Sequence, residues 1–226
     1  MMKGQNNKIL TLVGKDVLTE ARTRDVLTTV FIFALLTVLV FSFALEPKAE
    51  TTVMVAPGML WVAFTFAGVL GFARSFIQEK EHACLDGLML CPVERETIYW
   101  GKLIGNLIFM LVVEAIILPV FFILLNLPFS FLPGVALIVL LTTLGFVSVG
   151  TLFSAMAVNT RARDIMLPIL FLPVVVPILI AAVQSTGGIL KGSDWNEMLS
   201  WVEMILTFDV IFMVVSSFLF RFVVEG

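Results

Sequence analysis

The sequence contains a twenty-residue run without a charged side chain, from Val26 to Leu45. An α-helix rises 1.5 Å per residue, so about 20 apolar residues cross the roughly 30 Å hydrocarbon core of a bilayer. Five further segments are similarly long and apolar, and the six predicted spans are Val26–Leu45, Val53–Phe76, Leu103–Leu125, Phe131–Val158, Ile165–Gln184 and Met204–Val224. None of them has the charged stripe of a helix in a soluble bundle. The pattern therefore predicts an all-α integral membrane protein with six transmembrane helices.

The composition of the chain agrees with this class. Of the 226 residues, 60% are apolar and 14% are charged, and the mean hydropathy is +1.08. Soluble domains are close to half apolar and a quarter charged. Most of the surface is thus expected to face the lipid bilayer or other helices, and nothing in the charge balance indicates a nucleic-acid partner.

Lysine and arginine are distributed unevenly between the connections. Twelve fall on one side of the predicted spans: Lys3, Lys8, Lys15, Arg22, Arg24, Arg74, Lys80, Arg95, Lys102, Arg161, Arg163 and Arg221. The alternate connections hold only Lys48 and Lys191. Basic residues concentrate in cytoplasmic connections, so the pattern predicts a multi-pass protein of the inner (plasma) membrane with both termini in the cytoplasm.

Residues 1–25 precede the first span and form a separate amphipathic segment. Their apolar residues recur at helical spacing: Leu10, Val13, Val17 and Ala21. Charged residues lie between them, a pattern typical of a helix in the membrane interface. An ordinary charged flank is the alternative. Residues 26–226 are predicted to form the six-helix transmembrane domain.

The cytoplasmic link from Ile77 to Lys102 carries a second amphipathic pattern. Leu85, Leu88 and Met89 form one apolar face of a short helix, while Glu79, Glu81 and Asp86 sit on polar positions. Pro92 ends this short helix, because proline cannot continue the hydrogen-bond ladder. Its position at the membrane surface predicts a docking site for another protein.

Several motifs in the chain resemble known permeases. Asp86-Gly87-Leu88, the spacing from Leu88 to Pro92, and Gly101-Lys102 are similar to the cytoplasmic segment of ABC exporter permeases of the second type. Four stretches more narrowly resemble the CcmB family of the cytochrome c maturation system: Ala56 to Ala63, Leu85 to Pro92, Thr143 to Phe146 and Leu172 to Pro177.

That resemblance implies a function and a set of partners. It implies a non-catalytic permease subunit, present in two copies, that pairs with a CcmA-like ATPase holding the ATP. It further implies association with CcmC- and CcmD-like membrane proteins and with the haem chaperone CcmE. ATP hydrolysis would drive haem export or the release of haem-loaded CcmE. The docking residues would be Glu79, Glu81, Leu85, Asp86, Gly87, Leu88, Met89 and Pro92.

Ionisable residues inside the spans are the other candidates for function. Glu114 lies in the third span, where a carboxyl group costs a few kcal/mol, so it is expected to face the bundle interior. It is either a substrate-path or coupling residue, or an acid bonded to the backbone near Pro119. Asp209 is expected to reach the membrane interface near the outer end of the sixth span.

Prolines mark the fifth span, which contains Pro168, Pro173 and Pro177. They serve either as hinges or to shape packing. Trp195 and Trp201 are predicted interfacial anchors in the outer link before the sixth span.

The sequence lacks the motifs of the main alternative activities. It has no G-x-x-x-x-G-K-[ST] loop, no H-E-x-x-H and no G-x-S-x-G, which argues against nucleotide binding and intramembrane hydrolysis. Cys84 and Cys91 lack metal-site spacing, and His82, the only histidine, is read as solvated rather than as a haem ligand. A general exporter permease for lipid, drug or polysaccharide remains the alternative function.

Overall fold

In the computed structural model, the described residues are 11–15, 18, 25–44, 49–81, 95–157 and 163–225. Six long helices dominate this part of the chain: α1 (Asp25–Ala44), α2 (Ala49–Glu81), α3 (Arg95–Leu124), α4 (Leu132–Ala157), α5 (Arg163–Lys191) and α6 (Trp195–Glu225). Each is long and apolar enough to cross a membrane. The prediction of an all-α membrane protein with six spans is confirmed.

The helices extend beyond several of the predicted spans. The largest difference is in α6, which begins at Trp195 rather than near Met204. Trp195 and Trp201 were predicted to lie in a link, and this is wrong, because both belong to α6. Hydropathy detects the apolar part of a helix, whereas polar residues such as Glu197 and Glu203 extend the same helix beyond it.

Helix α4 is the centre of the bundle and packs against α2, α3, α5 and α6. In its candidate span 72% of the residues are buried, compared with 17% for α1. Small residues allow this close packing, as they commonly do between membrane helices. A Cβ atom on Gly150 would overlap the ring of Phe72 from α2. Polar residues on α4 are therefore enclosed by protein on several sides.

Two tight turns connect α3 to α4 and α5 to α6. Asn126 and Gly192 adopt the left-handed conformation, with φ of 51° and 69°. The amide of Leu127 donates to the carbonyl of Phe122 at 3.0 Å, and that of Ser193 donates to Gly188 at 3.0 Å. These are the bonds of a Schellman cap, which ends each helix sharply and folds the next one back.

Helix α5 runs continuously through Pro168, Pro173 and Pro177. Pro173 and Pro177 are exposed, whereas Phe171, Val175 and Ile178 of the same helix are buried. The two prolines therefore lie on the outer face of the bundle, where their rings displace no core side chain. Packing within this chain therefore does not explain why prolines occupy these two positions.

The N-terminal amphipathic segment is described at residues 11–15, which are helical. Val13 is buried there, while Thr11 and Lys15 are exposed. Gly101 of α3 lies so close to Leu12 that a Cβ on the glycine would be 3.1 Å from the leucine Cβ. This part of the segment packs against the beginning of α3, and its location in a membrane interface stays a prediction.

Candidate functional site

Glu114 of α3 is the centre of a buried polar site between α2, α3 and α4. Only 3% of its surface is exposed, which confirms the prediction that it faces the bundle interior. Its Oε1 lies 2.7 Å from Oγ1 of Thr143 on α4. Glu114 therefore bonds to a neighbouring helix and not to the backbone near Pro119. Within the described part of the chain, its Oε2 has no hydrogen-bond partner.

A narrow void adjoins the Glu114 carboxyl group. It is lined by side chains from three helices, Trp61, Phe64, Thr65, Met110, Glu114, Thr143 and Phe146. Thr65 donates its hydroxyl proton to the carbonyl of Trp61 at 2.6 Å, and the indole Nε1 of Trp61 donates to Thr186 of α5 at 3.1 Å. The hydroxyl of Thr65 and the indole N–H of Trp61 are therefore bonded to groups other than Glu114.

A row of polar contacts continues along the interface between α3 and α4. The hydroxyl oxygens of Tyr99 and Ser148 are 2.7 Å apart, and Nδ2 of Asn106 donates to Oγ1 of Thr151 at 3.0 Å. Ser148 also donates to the carbonyl of Phe212 on α6 at 3.2 Å. Hydrogen bonds between buried side chains hold membrane helices together, because lipid offers no competing partner. The contacts fix α3 against α4 over the part of α3 that precedes Glu114.

Asp209 is a second buried carboxyl group, and the prediction that it reaches the interface is wrong. It is 5% exposed and lies against Gly145 of α4, where a Cβ atom would overlap its Oδ1. The reason is the early start of α6 at Trp195, which moves Asp209 toward the middle of the helix. Neither carboxylate oxygen has a hydrogen-bond partner among the described residues.

Thr143 and Gly145 place the two acidic residues on the same stretch of α4. Sequence reasoning included both positions in the stretch Thr143 to Phe146 that resembles the CcmB family, but gave neither a role. The usable signal was a threonine and a glycine two residues apart in a span without charged residues. Their partners on α3 and α6 required the tertiary structure.

The predicted docking residues lie partly or wholly outside the described part of the structure. Glu79 and Glu81 belong to the last turns of α2, and their side chains lie outside the described part of the structure. Leu85, Asp86, Gly87, Leu88, Met89 and Pro92 lie outside the described residues, as do His82, Cys84 and Cys91. The predicted docking segment therefore stays a prediction. Within the described ranges, no group of three or more His, Cys, Asp or Glu side chains could hold a metal ion.

The fold and the site define a multi-pass α-helical membrane protein with a closed polar centre in its interior. The profile of the family described as CcmB protein matches residues 7–225. This chain belongs to the CcmB family.

Curated relatives agree with this assignment. Heme exporter protein B of Pseudomonas aeruginosa is 24% identical over 171 residues, which cover 76% of this chain and 77% of the relative. The protein of the same name from Paracoccus denitrificans is 29% identical over 162 residues, covering 72% and 74%. That from Bradyrhizobium diazoefficiens is 26% identical over 161 residues, covering 71% and 72%.

Proposed function

We propose that this chain is the permease subunit of an ABC transporter that acts in cytochrome c maturation. The observation that carries the proposal is the CcmB family match over residues 7–225, together with relatives named heme exporter protein B. Six candidate membrane spans suit a permease. The sequence has no phosphate-binding loop, so ATP would be bound and hydrolysed by a separate CcmA-like subunit.

The proposed complex contains two copies of the permease with two ATPase subunits, and CcmC- and CcmD-like membrane proteins. ATP hydrolysis drives haem export or the release of haem-loaded CcmE. The complex lies in the inner membrane with both permease termini in the cytoplasm, since twelve of the 14 basic residues fall on that side of the spans. Residues 77–102 form the surface that receives the ATPase.

Deletion of the gene tests the function. We expect the deletion strain to lose c-type cytochromes, and to accumulate haem-loaded CcmE if release of the chaperone is the step that uses ATP. Haem staining of membrane proteins and of purified CcmE measures both. A plasmid copy of the gene should restore the cytochromes. Normal c-type cytochromes in the deletion strain would contradict the proposed function and favour an exporter of lipid, drug or polysaccharide.

Alanine substitution tests the docking surface separately. We expect the triple variant Asp86→Ala, Leu88→Ala, Met89→Ala to insert normally but to retain less of the ATPase subunit on co-purification. A matched control carries Asp194→Ala and Leu199→Ala, which replace an acidic and an apolar residue that are both exposed near the connection between α5 and α6. In the proposed topology, that connection lies on the opposite side of the membrane. Equal ATPase recovery from both variants would refute the assignment of the docking surface.

Glu114, Pro173 and Pro177 are the residues we propose to act inside the membrane. For Glu114 the support is its burial and its bond to Thr143. For the two prolines it is their exposure on a continuous helix, which leaves them without a packing role in this chain.

A further inference from the structure

Thr143 makes two short contacts, and its single hydroxyl proton cannot form a full hydrogen bond in both. Its Oγ1 lies 2.7 Å from Oε1 of Glu114 and 2.7 Å from the carbonyl oxygen of Val139. A threonine hydroxyl has a single proton, and a carbonyl oxygen can only accept. When Thr143 donates to Val139, the contact with Glu114 needs a proton from the glutamic acid. With an ionised Glu114, the one hydroxyl proton of Thr143 could fill only one of the two contacts. The other contact would bring two acceptor oxygens together with no proton between them.

Among the described residues, nothing else around Glu114 balances a carboxylate. The lining of the void carries no cation, and the donors of Trp61 and Thr65 are already used by Thr186 and by the backbone. Oε2 has no hydrogen-bond partner within the described ranges. An unpaired charge in such a setting is far more costly than a neutral acid.

The described side chains of α2, from Thr52 to Ala73, include no charged residue, and the charged groups described on the other neighbouring helices lie elsewhere. On α3, Lys102 precedes Glu114 by twelve residues, which corresponds to about 18 Å of helix. On α6, the acidic group that faces α4 is Asp209, which lies against Gly145. The described side chains of α1, from Leu27 to Ala44, and those of α4 include no charged residue.

We propose that Glu114 is a proton-binding site in the membrane interior. Its carboxyl group is held as the acid and donates to Oγ1 of Thr143, which in turn donates to the Val139 carbonyl. Release of the proton to water leaves a carboxylate and a hydronium ion, so it requires the void between α2, α3 and α4 to open. This inference goes beyond the proposed function and does not depend on it.

Infrared spectroscopy of the purified full-length protein tests the proposal. At neutral pH, carboxyl groups exposed to water are ionised. The carbonyl stretch of a protonated carboxylic acid therefore indicates a carboxyl group that is shielded from water. A detergent without ester groups avoids an overlapping band. We expect the band in the wild type and its shift on deuteration. Glu114→Gln should remove one component of the band, and Asp209→Asn, the matched variant at the other buried carboxyl group, should leave that component in place.

Substitution of Thr143 gives a second test, because a simple folding defect would not shift the frequency of the Glu114 band. We expect Thr143→Val to shift the band to higher frequency, because the carboxyl group loses its hydrogen bond, and Thr143→Ser to leave it in place. Circular dichroism checks that each variant is folded. The proposal would be overturned by a folded wild type without the band, by a band that Glu114→Gln leaves unchanged, or by a band that Thr143→Val leaves unchanged.

Discussion

Gly145 illustrates how one residue allows a buried acidic group to lie against the central helix. Without a side chain on the glycine, the Asp209 carboxyl group reaches the backbone of α4, and Ile178 and Phe208 also lie within 3.0 Å of the place where a Cβ would stand. All three neighbours come from other helices, and the site is enclosed on both sides. The space at this position is already filled.

Gly145→Ala is therefore expected to lower the free energy of unfolding by about 1–3 kcal/mol, the usual effect of overpacking. Thermal unfolding in detergent measures the change. Gly58→Ala is the matched control, because no atom lies within 4 Å of its Cβ position and the residue is within α2. The control should be neutral or stabilising. Equal destabilisation by both substitutions would contradict the explanation.

Tyr99 and Ser148 provide a test of the polar row between α3 and α4. Tyr99→Phe keeps the buried ring and removes the hydroxyl, so we expect a loss of about 1 kcal/mol in stability. Ser148→Ala should cost more, because Ser148 also donates to the carbonyl of Phe212. The double variant should lose less stability than the sum of the two single losses, since both substitutions remove the bond between the two hydroxyl groups. Fully additive losses would show that the hydroxyl groups act independently.

At the scale of single elements, the prolines of α5 are the main unexplained feature. Each removes one backbone hydrogen bond, and the ring of Pro173 or Pro177 faces outward. A proline that shapes core packing would be buried, so the exposure of this pair favours a role in bending the helix.

We expect Pro173→Ala with Pro177→Ala to raise the melting temperature, because alanine restores the backbone bonds and no buried contact is lost. Cytochrome c maturation should fall in the same variant if α5 must bend. Val176→Ala, a substitution of an exposed neighbour, is the control for both measurements. A lower melting temperature in the double variant would contradict this account of the prolines.

Sequence patterns predicted the six elements but misplaced some of their ends. Hydropathy is a sum over neighbouring residues, so it locates the apolar centre of α6 well. It does not register that polar residues from Trp195 onward continue the same helix. The error carried over to Asp209, which was predicted to lie near the end of a span and is buried in the middle of one.

The arrangement of the whole molecule predicts which connections share one side of the membrane. The turns after α3 and after α5 must lie opposite the link between α4 and α5, since each helix crosses once. The distribution of basic residues predicts that those turns lie outside.

Single cysteines can test this topology after Cys84 and Cys91 are replaced by serine. Ser130→Cys and Asp194→Cys occupy exposed positions in the two turns, and Asn159→Cys lies in the link between α4 and α5. An impermeant maleimide should label the first two in intact cells and the third only after permeabilisation. Labelling of Asn159→Cys in intact cells would reverse the predicted orientation.

The sequence by itself determined the class of the protein, its six spans and the burial of Glu114. These follow from local composition and from the cost of a carboxyl group in hydrocarbon, and neither depends on which helices meet. Tertiary structure decided that Glu114 meets Thr143 and that Asp209 meets Gly145. Those partners are 29 and 64 residues apart in the chain. Contacts over such distances depend on how close-packed helices face one another around α4, which periodicity along a single helix does not specify.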